Sequence, residues 1–166
     1  MPDSLSPSAR SANMAAIHSS NTTPELMLRK ALFKRGFRYR IALKRLPGRP
    51  DIVLPKYDAV VFVHGCFWHG HDCPKYRLPK SQTSFWAEKV FRNRNRDHDV
   101  QERLLEAGWR VATVWECAVR GPKRENRLAA TVQAVEAWLL GSQAELELPD
   151  TTTNTPLNSA LTSVSP

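Results

Sequence analysis

Apolar residues run unbroken from Ala59 to Val63, the pattern of a buried strand. Other segments fall into place around it. Thr22-Thr23-Pro24-Glu25 supplies an N-cap, an early proline and an early acid, which together start a helix. Leu28, Ala31 and Leu32 form its apolar stripe and Gly36 ends it. Phe37 to Ala42 alternates apolar and basic residues and predicts a strand. The turn Leu46-Pro47-Gly48-Arg49-Pro50 leads into a strand over 51–54, and a second turn over 55–58 leads into Ala59–Val63. Phe85 to Ala107 is a long, mostly polar helix closed by Gly108, and Trp109 to Glu116 is a further strand ending beside Cys117. Leu128, Val132, Val135 and Leu139 mark one face of a last helix. Helix, three strands, helix, strand, helix predicts an α/β sandwich around a central mixed sheet.

The flanks differ in character. Residues 1–22 are rich in Ser, Ala and Asn and predict an arm that orders on binding, with a short helix over 11–19. Residues 142–166 are rich in Ser, Thr, Asn and Pro and predict a disordered tail. The body, residues 23–141, has the size of one domain.

Charge adds a partner class. The chain carries 24 Lys and Arg against 16 Asp and Glu, a net +8. The three acids Glu145, Glu147 and Asp150 lie in the tail, which has no Lys or Arg, so residues 1–141 hold 24 bases against 13 acids, a surplus of 11. A compact basic domain matches a phosphate backbone electrostatically. No segment is long and apolar enough for a membrane span or a signal peptide, and three cysteines suit a reducing cytoplasm better than a disulfide framework.

The densest chemistry follows the buried strand: Cys66-Phe67-Trp68-His69-Gly70-His71-Asp72-Cys73. Cys66, Cys73 and the distant Cys117, with one histidine, would make a closed Cys₃His site of the kind structural zinc takes. His71 is the better-placed histidine, two residues before Cys73, which leaves His69 free. The adjacent aromatics Phe67 and Trp68 suggest something flat to stack on. Pro50-Asp51 resembles the Pro-Asp half of the PD-(D/E)xK nuclease motif, whose aspartate holds Mg²⁺. The second half is absent, since Phe62-Val63-His64 stands where an acid, a spacer and a lysine would be. The Val63 carbonyl could supply a metal oxygen, and His69 or His64 could serve as a base near neutral pH. Glu25 adds a carboxylate, with helix-start stabilisation as its plain alternative. Lys89, Arg92, Arg94 and Arg96 crowd the long helix, either as a solvated face or as phosphate contacts.

Several motifs in order, across residues 8–140, closely resemble the very short patch repair (Vsr) DNA mismatch endonuclease family. They are Ser11-Ala12-Asn13-Met14, Leu46-Pro47-Gly48-Arg49-Pro50-Asp51, Val63-His64-Gly65-Cys66-Phe67-Trp68-His69, Phe85-Trp86-Ala87-Glu88-Lys89, Gly108-Trp109-Arg110-Val111 and Val114-Trp115-Glu116-Cys117. The resemblance implies a restriction-endonuclease-like core with one structural zinc. It implies nicking of one strand 5′ to the thymine of a T:G mismatch, the product of 5-methylcytosine deamination. By position it makes Asp51 and the Val63 carbonyl Mg²⁺ ligands, and His69 the general base supported by Glu25 and His64. It makes Cys66, His71, Cys73 and Cys117 the zinc ligands. It further implies that Phe67, Trp68 and Trp86 wedge into the duplex and that Met14 and the arm embrace it; on the long helix, Lys89 and Arg92 are the candidate DNA contacts. A monomer in the bacterial cytoplasm, associated with the nucleoid and meeting mismatch-repair and DNA-polymerase proteins, is the corresponding expectation. Two rival readings keep parts of this pattern: a zinc-dependent DNA-binding module without catalysis, and a nuclease with another substrate.

Overall fold

The computed structural model describes residues 6–149 apart from 17, 18 and 75. Its elements in chain order are α1 (Pro7–Ala15), α2 (Thr23–Lys34), β1 (Ile52–Leu54), a 3-10 turn (Pro55–Tyr57), β2 (Ala59–His64), α3 (Thr83–Glu106), β3 (Arg110–Trp115), α4 (Glu116–Val119), α5 (Arg124–Leu140) and β4 (Glu145–Leu148). The sheet order is β1-β2-β3-β4, with β1 antiparallel to β2 and the other pairs parallel. The result is a mixed four-stranded sheet flanked by helices.

The unbroken apolar run is explained by its place. β2 lies between β1 and β3 with residues 59–63 all buried, so neither face of the strand meets water. Ala59, Val61 and Val63 share one cluster with Leu28 and Leu32 of α2 and Val132, Val135 and Leu139 of α5. Val60 and Phe62 share the other with Val100 and Leu104 of α3. Each fully buried Val or Leu contributes about 1.5–3 kcal/mol, so the sheet is clamped from both sides. Its C-terminal edge is thereby held rigid, and the loop after His64 springs from there. Among the described residues, no helix is long and apolar enough to cross a membrane.

Three expectations need correction. The segment 37–42 is not a strand; it makes a single antiparallel bridge, Arg40 with Val53. Arg38 turns away to lie over the Phe33 ring, and Ala42 adopts φ +53, so the chain leaves the extended conformation before a ladder can form. The tail is not wholly without structure either. Residues 145–148 form β4 and cover the β3 edge, with Leu146 and Leu148 packed against the larger core. The remainder, residues 150–166, lies outside the described residues. The arm contains α1 over Pro7–Ala15, earlier than the short helix expected over 11–19.

The turn before β1 is fitted to α3. Gly48 stands at φ +68, and a Cβ there would fall 2.4 Å from Val100 Cγ1 and 3.3 Å from the Phe62 ring. Left-handed backbone for a non-glycine residue costs roughly 1–2 kcal/mol, and forced overpacking against a stiff valine about 1–3. Gly48→Ala should therefore lower stability by ~2–4 kcal/mol in denaturant unfolding; an unchanged midpoint would show that the turn is not wedged against α3.

Candidate active site and metal centre

Asp51 stands just before β1, and its carboxylate Oδ2 accepts the Val63 N–H at 2.7 Å. That N–H lies beyond the last β1–β2 pair, Ile52 with Val61, and so has no strand partner of its own. Because the N–H and C=O of one strand residue point to the same edge, the Val63 carbonyl also faces the Asp51 side. Burial pushes the Asp51 carboxyl up to about 7, with the nearby Glu25 charge adding to the effect and the Val63 bond opposing it. A carboxylate and a carbonyl on one edge are oxygen donors suited to a hard divalent cation, and such a cation would relieve the buried charge.

Behind Asp51 is a polar network that the sequence did not disclose. Arg29 of α2, only 6% exposed, donates from Nε (3.2 Å) and Nη2 (2.8 Å) to the Asp51 carbonyl oxygen. It also donates to Asn21 Oδ1 at 2.7 Å and Glu25 Oε2 at 3.1 Å. Glu25 is itself buried, accepting from the Asn21 N–H at 2.8 Å and the Thr22 hydroxyl at 2.9 Å. Glu25 thus closes the start of α2 and anchors Arg29, as the helix-start reading expects.

Opposite lie two histidines. His64, the last residue of β2, stacks flat on His69, with ring centroids 3.9 Å apart and planes 2° from parallel. Burial, reinforced by the His69 charge, drives His64 down to about 3, so it is neutral at physiological pH. His69 Nδ1 is bonded to the Asp97 carboxylate of α3. Burial works against charge on Asp97, but the His69 bond, with the His69 and Arg96 charges, outweighs it and holds the carboxyl below the usual range. With Nδ1 committed to Asp97, the His69 Nε2 is the nitrogen left to exchange a proton. Asp97 was missed because only the fold brings it to His69. Its helix position, four residues after Asn93, was the available signal. Asn93 Nδ2 donates to the Trp68 carbonyl at 2.8 Å, so α3 grips the loop at two successive residues.

The sulfur ligands converge on the other side of the loop. One ligand atom each from Cys66, His71, Cys73 and Cys117 lies within 4.8 Å of all the others. His71 Nδ1 is 3.6 Å from Cys66 Sγ and 3.5 Å from Cys117 Sγ. A tetrahedral zinc with its usual bond lengths, about 2.3 Å to S and 2.0–2.1 Å to N, requires S···N separations of roughly 3.5–3.6 Å. The four residues fit that ion. Without it, hydrogen bonding to Cys117 and burial push the Cys66 thiol up, whereas a cation would hold the thiolate. Burial lowers His71, against the Glu147 and Asp72 charges, and keeps it in the neutral form that ligates.

The aromatics also meet. Phe67, Trp68 and Trp86 pack edge to face, with centroids 5.1, 5.4 and 6.0 Å apart. Phe85, not singled out from the sequence, adds a fourth ring 5.3 Å from Trp86 and is 54% exposed. The Lys89 ammonium lies over Trp68 at 5.2 Å and Trp86 at 5.5 Å. An open cleft of about 1990 Å³ joins Asp51, His64, His69 and Trp68 to the basic residues Lys89, Arg94 and Arg96. Arg92 instead pairs with Glu88 on an exposed part of α3. Met14 falls in α1, and its side chain lies outside the described residues.

The Asp51 environment has a consequence for stability. Its folded pKa lies above its unfolded value, so the folded state binds the proton more tightly and loses stability as pH rises from about 4 through about 7. In magnesium-free buffer, Asp51→Asn should melt several degrees above wild type at pH 8, with the gap shrinking towards pH 5. A gap independent of pH would mean that Asp51 carries no strained charge.

Comparison with known proteins is consistent with this constellation. The model of the family described as DNA mismatch endonuclease Vsr matches residues 2–75. The chain is 47% identical over 137 residues to the type II nicking enzyme V.NmeAIP of Neisseria meningitidis serogroup A, covering 80% of this chain and 98% of that protein. It is 41% identical over 148 residues to the DNA mismatch endonuclease Vsr of Escherichia coli K12, covering 89% and 94%. It is 49% identical over 117 residues to the type II nicking enzyme V.XorIIP of Xanthomonas oryzae pv. oryzae, covering 70% and 86%. The chain belongs to the Vsr family of DNA mismatch endonucleases.

Proposed function

We propose that this chain nicks one strand of duplex DNA 5′ to the thymine of a T:G mismatch, by Mg²⁺-dependent phosphodiester hydrolysis, on a restriction-endonuclease-like core. The observation that carries this reading is the meeting of two sets of groups in one open cleft. Asp51 and Val63 lie on one side, the Asp97-bonded His69 on the other, and the aromatic patch continues from the same loop.

Asp51 and the Val63 carbonyl would hold Mg²⁺, which supplies positive charge against the phosphate and the leaving oxygen. Cys66, His71, Cys73 and Cys117 would hold zinc, which cross-links the loop to the start of α4. The remaining work belongs to side chains. Arg29 pins the Asp51 backbone from behind. His69 takes the proton of the attacking water on Nε2, and Asp97 fixes its tautomer and stabilises the imidazolium that forms. His64, neutral and flat against it, keeps the His69 ring in one plane and shields one face from water.

Recognition follows from deformability. Deamination of 5-methylcytosine leaves thymine opposite guanine, and that wobble pair stacks poorly, so opening the step beside it is less costly than opening a matched step. Phe67, Trp68 and Trp86 recover part of the cost, at about 1–3 kcal/mol per stacked base. Lys89, Arg94 and Arg96 take phosphates along the cleft, and the arm with Met14 closes over the duplex from the far side. The substrate is therefore duplex DNA met by a monomer in the bacterial cytoplasm, with mismatch-repair and polymerase proteins acting on the nicked product.

End-labelled duplexes carrying T:G, C:G or T:A at one position, incubated with Mg²⁺, test the reading. Wild type should nick only the T strand of T:G. Asp51→Ala should be slower by several kcal/mol of barrier, roughly a thousandfold. Equal cutting by Asp51→Ala refutes the assignment of Asp51. Binding to T:G without a nick would indicate a binding module, and cutting of matched duplex a nuclease of other specificity.

A further inference from the structure

β4 reaches further into the site than its position after the last helix suggests. Trp115 ends β3 and is 9% exposed. Its ring lies flat on His71, with centroids 4.3 Å apart and planes 11° from parallel. The same ring meets His64 edge-on at 5.4 Å and His69 at 6.4 Å. Cys66 and Cys117 pack with it in one small cluster, with Cys73 against them. One indole therefore touches the sulfur-ligand centre on its face and both cleft histidines on its edge.

What fixes the indole is a residue on β4. Trp115 Nε1 donates to Glu147 Oε1 at 2.7 Å. Glu147 pairs in register with Thr113, two residues before Trp115 and so on the same face of the sheet. β4 is in turn tied down by Arg110, which donates to the Gln143 carbonyl at 2.9 Å and the Leu139 carbonyl at 3.2 Å. Gln101 of α3 donates to Glu145 at 2.6 Å. Both glutamates line a cleft that would receive phosphates, where their charge works against binding. The bond to Glu147 is a polar tether on an indole otherwise held by packing, and losing it loosens the ring's hold on one orientation.

We propose that Trp115 is a positioning residue joining the Cys/His metal centre to the His64–His69 pair, and that Glu147 of β4 sets its orientation. The proposal rests on the catalytic and zinc roles given above. The strand is thus a working part of the nuclease rather than a trailing segment. It acts on the indole through hydrogen-bond acceptance.

Two variants separate acceptance from charge. Glu147→Gln removes the charge and keeps a carbonyl acceptor; Glu147→Leu removes both. Both are measured for kcat and KM on the T:G duplex and for the rate of zinc transfer to a colorimetric chelator. Glu147→Gln should match wild type in kcat and zinc release. Glu147→Leu should lose about tenfold or more in kcat with KM little changed, as displaced catalytic groups do, and should release zinc several-fold faster. Trp115→Phe, which keeps a ring but not the N–H, should behave like Glu147→Leu and serves if that variant fails to fold. Equal behaviour of the Gln and Leu variants, whether both impaired or both normal, overturns the proposal. A wild type free of zinc would refute the zinc assignment alone, and the kcat comparison would still decide the positioning role.

Discussion

The bond between His69 and Asp97 joins two parts of the chain that the rest of the site depends on: the loop after β2 and the helix α3. The loop carries the sulfur ligands and two of the aromatics. α3 carries Trp86, Lys89 and Asn93, and packs Val100 and Leu104 onto the sheet. With the Asn93 to Trp68 bond beside it, the His69–Asp97 bond ties the loop to the helix at two successive residues. Through that frame the rings of Trp68 and Trp86 hold a fixed relation to His69 and, across the sheet, to Asp51. In the proposed function, the same frame sets both specificity and chemistry.

The site also stores an unfavourable charge. Asp51 is enclosed, near Glu25, and its carboxyl is raised to about 7. Such a group fits a place where a divalent cation offsets the cost. The Cys66, His71, Cys73 and Cys117 group follows the opposite logic. Its donor atoms are gathered within 4.8 Å, with the His71 nitrogen at zinc-compatible distances from two of the sulfurs, and in the proposed function it acts on geometry and leaves the chemistry to the oxygen side of the loop. Trp115 sits between the two, touching His71 with its face and the cleft histidines with its edge.

Much of this was legible in the chain. A covered central strand needs an unbroken apolar run, and Ala59–Val63 provides one; three cysteines and a spaced histidine are too specific a set to hide. What stayed hidden depends on tertiary contact. Asp97 is one acid in a highly charged helix until α3 lies across the loop. Arg29 reads as a helix surface residue until it is buried under Asp51. β4 is only four residues of Glu-Leu alternation inside a Ser/Thr-rich stretch, too short for periodicity to outweigh composition. The segment 37–42 misled in the other direction. Its alternation is real, but Arg38 and the left-handed Ala42 leave just one bridge.

In the proposed mechanism, α3 positions the loop's base through the Asp97 carboxylate. The most direct test of that positioning is the steady-state kinetics of Asp97→Asn on a T:G duplex at saturating Mg²⁺. Asparagine keeps the size of the side chain but loses the charge that favours the imidazolium and fixes its tautomer. The account expects kcat to fall by about a hundredfold or more, the scale typical of removing assistance to a general base, with KM nearly unchanged. A kcat equal to wild type would contradict it.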